Sequence, residues 1–258
     1  MNRKKGKQNP FHKKVETNAD LQYPARLNKY VAKTGICSRR KAVDLIKGGL
    51  VTVNGGVQLE PFYLVQKSDQ VALEGKVIKP ETNFIYLLLN KPKDTISTTS
   101  DEKGRKTIFD IVDFEGKERL FPVGRLDRNT TGLILITNDG DLSKKLSHPS
   151  HKITKTYLVT LDKPISELHF DQIAKGLMLE DGLAPVKTLH LVADSKMEIE
   201  ISIILGRNRI VRRIFESLGY TVVRLDRTYY GGLDKKGLPR GRYRSLTSRE
   251  IIMLKHFI

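Results

Sequence analysis

Apolar positions recur along the chain with two periods, and each period marks a kind of element. In ARLNKYVAKTGICSRRKAVDLIKGGLVTVNGG, Leu27, Tyr30 and Val31 fall at helical spacing. Ser38 suits an N-cap before a second helix, RRKAVDLIK, whose apolar side is Ala42, Leu45 and Ile46 and which Gly48-Gly49 ends. VTVNGG reads as a strand running into a turn at Asn54-Gly55, and QVALEGKVI as one more strand-like piece. KPETN, residues 79–83, has the composition of a linker. After it, FIYLLLNKP is a buried strand that Pro92 ends. Strands are expected near 84–90, 133–137, 156–161 and 197–205, and helices near 141–147, 166–176 and 208–218. Period-two and all-apolar strands separated by turn residues give an α+β fold on a mixed, largely antiparallel sheet. The expected organisation is a flexible basic arm over residues 1–23, a small domain over 24–78 and a large domain over 84–258.

Charge changes this picture most. The 258 residues carry 46 Lys+Arg against 29 Asp+Glu, a formal charge of +17 with pI near 9.8. So large an excess attracts polyanions. The excess is present in the arm, where residues 1–24 hold six Lys/Arg and two Asp/Glu, and in both later segments. No basic amphipathic helix stands out, so nucleic acid is favoured over a membrane surface. No run of about 18 apolar residues occurs, so no membrane span is expected. The start, MNRKKGKQNPFHKK, lacks the apolar segment of a secretory signal. One cysteine, Cys37, excludes an internal disulfide framework and a multi-cysteine metal site. A reducing cytoplasm is the expected compartment.

Five stretches carry candidate chemistry. Arg39, Arg40 and Lys41 open the second helix, where cations oppose the helix dipole, so a phosphate ligand explains them better than stability does. In GRLDRNTTGLILIT, Asp127 stands between Arg125 and Arg128 just ahead of a buried strand. This is either a surface ion pair or an acid held at a rigid edge. In KTYLVTL, alternation puts Lys155 and Tyr157 on one face, fit for stacking a base beside a phosphate, or simply for a core edge. In LGRNRIVRRIFESLGY, Arg207, Arg209, Arg212 and Arg213 crowd a helix whose apolar side is Ile210, Ile214 and Leu218. One of these arginines can hold a buried carboxylate ionised. Finally, residues 205–244 contain eleven Lys/Arg against three Asp/Glu, with Tyr229, Tyr230 and Tyr243 interleaved, the expected footprint for unstacked RNA.

Two resemblances follow from these motifs. RLNKYVAKTGICSRRKAVDLIKGGLVTVNG resembles the alpha-L RNA-binding domain, over roughly residues 25–75, and implies binding to structured RNA. LLLNKP, GRLDRNTTGLILITNDGDL, KTYLVTL, GRNRIVRRIFESLGY, VVRLDRTYYGGL and GLPRGRYRSLT, in that order, resemble the pseudouridine synthases of the ribosomal-RNA group related to RsuA and RluB. The resemblance implies catalytic roles for Asp127, for Tyr157 stacking on the target base, and for Arg212 in a salt bridge with the aspartate. It implies that Leu225 packs against the base and that Arg125 helps open the RNA; Lys155, from its place beside Tyr157, and Arg209, from the helix cluster, are also expected to meet substrate. The pattern departs at Ile210, where many relatives carry Gln or Glu.

The implied reaction converts uridine to pseudouridine in ribosomal RNA or a pre-ribosomal particle, with large-subunit RNA favoured. It needs no metal or other cofactor, and a monomer is expected. The glycosidic bond breaks, the uracil turns, and carbon 5 rejoins the sugar. Asp127 can stabilise the sugar cation, attack it or remove a proton. Asp139 and Asp141 in NDGD raise a metal-dependent phosphohydrolase as a rival, but such a site needs more converging oxygens than the sequence offers. A glycosidase needs a second carboxylate in a comparable setting. A non-catalytic RNA-binding assembly factor is the other alternative.

Overall fold

The computed structural model describes residues 21–99, 101–114, 116–192 and 194–256. They fall into two compact units, a smaller one ending at Phe84 and a larger one beginning at Ile85.

The smaller unit follows its apolar pattern closely. Strand β1 (Ala25–Arg26) leads into helix α1 (Leu27–Lys33), and Ser38 caps α2 (Arg39–Lys47) by accepting a bond from the Lys41 amide at 3.3 Å. A four-stranded sheet, ordered β3-β2-β5-β6, joins β2 (Val51–Val53), β3 (Gly56–Val57), β5 (Val71–Leu73) and β6 (Lys76–Val77). The remaining strand, β4 (Leu64–Val65), pairs with β1. Leu27, Val31, Ala42, Ile46, Val51 and Val71 form the core. Asn54 and Gly55 both have positive φ, 51° and 82°, the backbone a tight hairpin turn requires. The same chemistry recurs at Glu74-Gly75 (φ 48° and 76°), so QVALEGKVI is two strands and a turn rather than one strand. Leu21 is buried in this core and Tyr23 packs against it, so ordered chain begins before residue 24. The rest of the expected arm, residues 1–20, lies outside the described residues.

The larger unit is built on a nine-stranded sheet. Its main path runs β13 (Thr188–Leu191), β14 (Glu198–Ile203), β10 (Lys155–Leu161), β15 (Val222–Tyr230), β9 (Thr131–Thr137), β7 (Tyr86–Lys91) and β17 (Tyr243–Ser245). Strands β8 (Phe121–Pro122) and β16 (Leu233–Asp234) join its side, and β11 (Leu177–Leu179) pairs with β12 (Gly182–Ala184) as a separate hairpin. Every pairing is antiparallel except β15 with β9, so the sheet is mixed. Both faces of the central strands are covered. Leu87, Leu89, Ile134 and Ile136 join one core with α5 (Ile210–Glu216), and α4 (Glu167–Lys175) adds Ile173 to it. Leu88, Leu133 and Leu135, one pleat away, are also fully buried. Tyr86 shares their face, where its hydroxyl donates to Asp139, the cap of α3 (Gly140–Ser147), and its ring lies under Lys255 of α6 (Ser248–His256). Among the described residues no helix is long and apolar enough to cross a membrane.

Candidate active site

The loop between β8 and β9 carries Asp127, and short ties fix it. Val123 donates its amide to Leu135 O at 2.7 Å, and Gly124 then turns the chain at φ +73°. Ser97 Oγ donates to Leu126 O at 2.9 Å and receives the Leu126 amide at 3.2 Å. The Thr130 amide closes a turn onto Asp127 O at 3.0 Å. Thr131 Oγ1 then donates to Asp226 Oδ1 at 2.6 Å, joining the loop's end to β15. The backbone is anchored while the carboxylate is not. Among the described residues, no hydrogen bond or ion pair reaches the half-buried carboxylate of Asp127. Its two flanking arginines do not neutralise it. Arg128 pairs with Asp94 at 3.1 Å, and Arg125 is exposed with no partner among the described residues.

Beside the loop, one row of residues crosses four strands. Lys91 of β7 opposes Gly132 of β9, Gly132 opposes Arg227 of β15, and Arg227 opposes Tyr157 of β10. Glycine is required in that row. At φ +102°, a Cβ on Gly132 would lie 2.3 Å from Arg227 O. Lys91 is fully buried and donates to Thr95 O at 2.7 Å and to Pro92 O and Arg128 O, both at 3.2 Å. Burial lowers its ammonium to about 8, with Asp127 and Asp94 acting the other way. Lys155 Nζ donates to Ile153 O at 3.0 Å and Ile204 O at 2.9 Å, and burial, helped by the nearby Arg227 charge, lowers it to about 8 as well. Burial does this because the charged form loses water that the neighbouring carbonyls only partly replace.

Helix α5 supplies the far wall. Arg209 caps it in a left-handed conformation (φ 47°) and pairs with Glu216 at 3.3 Å. Arg212 is buried one turn on and donates Nη1 to Val222 O at 2.8 Å. Burial and the Arg209 charge lower its pKa, while Asp127 favours its charged form. The expected salt bridge is not closed in this structure. No nitrogen of Arg212 comes within 4.0 Å of the Asp127 carboxylate, because the guanidinium is held against the start of β15. Arg212 therefore stands behind the wall, coupled to Asp127 through space.

These elements enclose a cavity of about 330 Å³. Asp127, Arg125, Tyr157, Lys155, Leu225 and Arg209, all singled out from the sequence, line it. A second hollow of about 500 Å³ continues past Arg125 and Asp127 to Ser97, Lys103 and Arg105. Five cations, Arg125, Lys155, Arg207, Arg209 and Arg227, face the first cavity against the single carboxylate of Asp127. That field suits an anionic ligand. Arg39, Arg40 and Lys41 belong to the other unit, exposed on the first turn of α2 with no side-chain partner among the described residues.

Sequence reasoning missed Lys91, Thr130 and Arg227. A lysine ending an all-apolar strand was the available signal for the first, and an arginine two positions after Leu225, hence on its face, for the last. It also overread the tyrosines. Tyr230 is buried with its ring under Arg227, Tyr229 lines the opposite side of the sheet, and the Tyr243 hydroxyl donates to Asp113 O. The pleat of β15 separates Tyr229 from Tyr230, so they form no common strip. Asp139 is committed to capping α3 through the Leu142 amide at 3.0 Å and to the Tyr86 hydroxyl at 2.8 Å. Among the described residues no three His, Cys, Asp or Glu side chains gather to hold an ion.

Residues 85–217 match the family model described as RNA pseudouridylate synthase, and residues 25–71 match the S4 domain. The chain is 42% identical to ribosomal large subunit pseudouridine synthase B of Bacillus subtilis, over 89% of this chain and 95% of that protein. It is 37% identical to the dual-specificity RNA pseudouridine synthase RluF of Escherichia coli, over 89% and 78%. A crystal structure of a pseudouridylate synthase superposes with a TM-score of 0.65 at 32% identity, covering 89% of this chain and 99% of that one.

Proposed function

The chain belongs to the RNA pseudouridylate synthase family, and from that premise we propose that it isomerises a specific uridine of ribosomal RNA, in the large subunit, with Asp127 as the catalytic group. The observation that carries this reading is the anchored loop that presents an unpartnered carboxylate to a cationic cavity. The name of the Bacillus subtilis relative supports the large-subunit target. The protein would meet its RNA in the cytoplasm, free or in a pre-ribosomal particle, as a monomer needing no cofactor.

The target nucleotide must leave its stack to reach a cavity of this kind, at a cost of a few kcal/mol. Arg125, exposed and unpaired at the junction of the two hollows, is placed to fill the vacated position. Tyr157 and Leu225, 8% and 6% exposed, present the apolar surface that flanks the base. Asp127 then faces the ribose. Breaking the bond from C1′ to N1 develops positive charge on the sugar, and an anionic oxygen beside it lowers that barrier. Asp127, through space, favours the charged form of Arg212. The C5 proton released after the new bond forms can pass to Tyr157, Asp127 or water.

The test is to map pseudouridine in ribosomal RNA from cells with and without the protein, then repeat with Asp127→Asn. Loss of one large-subunit pseudouridine in both the null and the variant, with RNA binding retained by the variant, is the expected result. A site that persists in the variant cells would leave a binding role in ribosome assembly instead.

A further inference from the structure

Arg227 is a buried cation that uses little of its hydrogen-bonding capacity among the described residues. It is 3% exposed, and its Nε donates to Leu133 O at 2.7 Å. Its guanidinium carbon stacks over the Tyr230 ring at 4.6 Å. Neither terminal nitrogen has a hydrogen-bond partner among the described residues, and Nη2 is wholly buried. No carboxylate is paired with it. Buried donors without partners cost on the order of 1–3 kcal/mol each, and more when charged, so folded proteins rarely keep them without a reason. Thr130 Oγ1 is also buried and unbonded, and both Thr130 and Arg227 line the cavity that Asp127 faces.

Register fixes where Arg227 acts. It lies directly across from Tyr157 and two residues after Leu225, on the wall that would receive the base. Arg125 and Arg209, by contrast, are exposed residues of the same cavity. The guanidinium of Arg227 is instead buried and held by Leu133 and Tyr230. We propose that Arg227 is a further catalytic residue, donating to a carbonyl oxygen of the everted uracil and stabilising the negative charge the base acquires as the glycosidic bond breaks. This rests on the uridine-isomerising reading above. When the bond from C1′ to N1 breaks, both electrons leave with the base, giving a uracil anion delocalised over N1, O2 and O4. Carbon 5 then supplies the pair for the bond to C1′, its proton departs, and N1 takes up a proton, so the product is an isomer. A fixed cation beside O2 or O4 acts most strongly at the moment of cleavage, when little water competes.

The test measures release of tritium from C5-tritiated uridine in ribosomal RNA transcripts, with wild type, Arg227→Gln, Arg227→Lys, Arg227→Ala and Asp127→Asn. Removal of one such donor costs about 10²–10³ in kcat. Arg227→Gln is therefore expected to lose that much with KM little changed, Arg227→Lys to lose less, and guanidinium ion to restore part of the Arg227→Ala rate. A 2-thiouridine or 4-thiouridine placed at the target reads the contact without altering the protein. One of them should slow the wild type but not Arg227→Gln. If Arg227→Gln keeps its kcat and raises only KM, or if neither sulfur substitution affects the wild type differently from the variant, the assignment is overturned. Those outcomes leave the broader reading intact provided Asp127→Asn is inactive. A wild type that forms no pseudouridine, or an active Asp127→Asn, overturns the broader reading itself.

Discussion

Lys91 and Lys155 border the catalytic loop and the cavity, and burial lowers both ammonium groups to about 8. Above that pH the cavity loses positive charge, so turnover on ribosomal RNA is expected to fall along an alkaline limb near pH 8. Replacing Lys155 by Arg removes one titration, because a guanidinium stays charged across this range. A pH–kcat/KM profile of Lys155→Arg should show that limb moved upward or flattened. Stability runs the other way. A lysine whose folded value lies below its unfolded 10.5 carries a burial cost that is complete below about pH 8 and is relieved as pH climbs toward 10.5. Urea unfolding of wild type against Lys155→Met should therefore show the wild type gaining ground between pH 8 and 10. Asp127 and Tyr157, which line the cavity, were singled out because the ordered motifs resemble a family, while spacing alone left a surface ion pair and a core tyrosine open. Lys91 and Arg227 were not, because their significance is burial without a carboxylate partner, which only the register of four strands reveals.

At the scale of elements, the site depends on the one parallel seam in the sheet, where Asp226 meets Thr131 and Arg227 meets Gly132. Asp226 holds the seam by accepting Thr131 Oγ1 at 2.6 Å, Arg240 at 3.0 Å and Lys235. Burial alone would raise its carboxyl, but the bonds from Lys235 and Thr131 outweigh that and hold it below its usual value. Gly132 lets the two backbones approach. Gly132→Ala is expected to destabilise the protein by about 2–6 kcal/mol, combining roughly 1–3 for overpacking with roughly 1–3 for strained backbone. A fall in the urea midpoint with loss of isomerase activity would be the observed result, and wild-type stability would show the seam to be more open. This seam also marks where pattern reading stopped. The strands near 133–137 and 156–161 were predicted, because Leu133–Ile136 and Leu158–Leu161 show uninterrupted apolar or alternating character. Strand β15 was read only as a basic stretch, since Arg224, Asp226 and Arg227 break its apolar pattern. Asp226 and Arg227 are buried in the sheet beside the cavity while Arg224 is exposed, so charge within this strand did not mark a loop. Helix α6 was missed as well, its apolar side being limited to Ile251 and Leu254.

For the whole molecule the governing quantity is the net charge of +17. A charge of that size attracts any polyanion, so it explains encounter with RNA and not the choice of uridine. The two units divide the remaining work chemically. The larger one holds a cavity in which the Asp127 carboxylate meets five cations, whereas the smaller one holds Arg39, Arg40 and Lys41 on an exposed helix turn with no anionic partner among the described residues. Their exposure means that removing them costs little stability, yet three cations at a helix start are unfavourable for the helix itself. On the proposed function, RNA phosphate would reverse that cost. Changing all three to Ala should therefore weaken binding to ribosomal RNA while leaving thermal unfolding unchanged or slightly improved. If each cation meets one phosphate, the slope of log affinity against log salt should fall by about 2–3. Binding measured across a salt series decides the point. An unchanged slope would mean that this turn faces solvent in the complex and that the phosphates are gripped elsewhere.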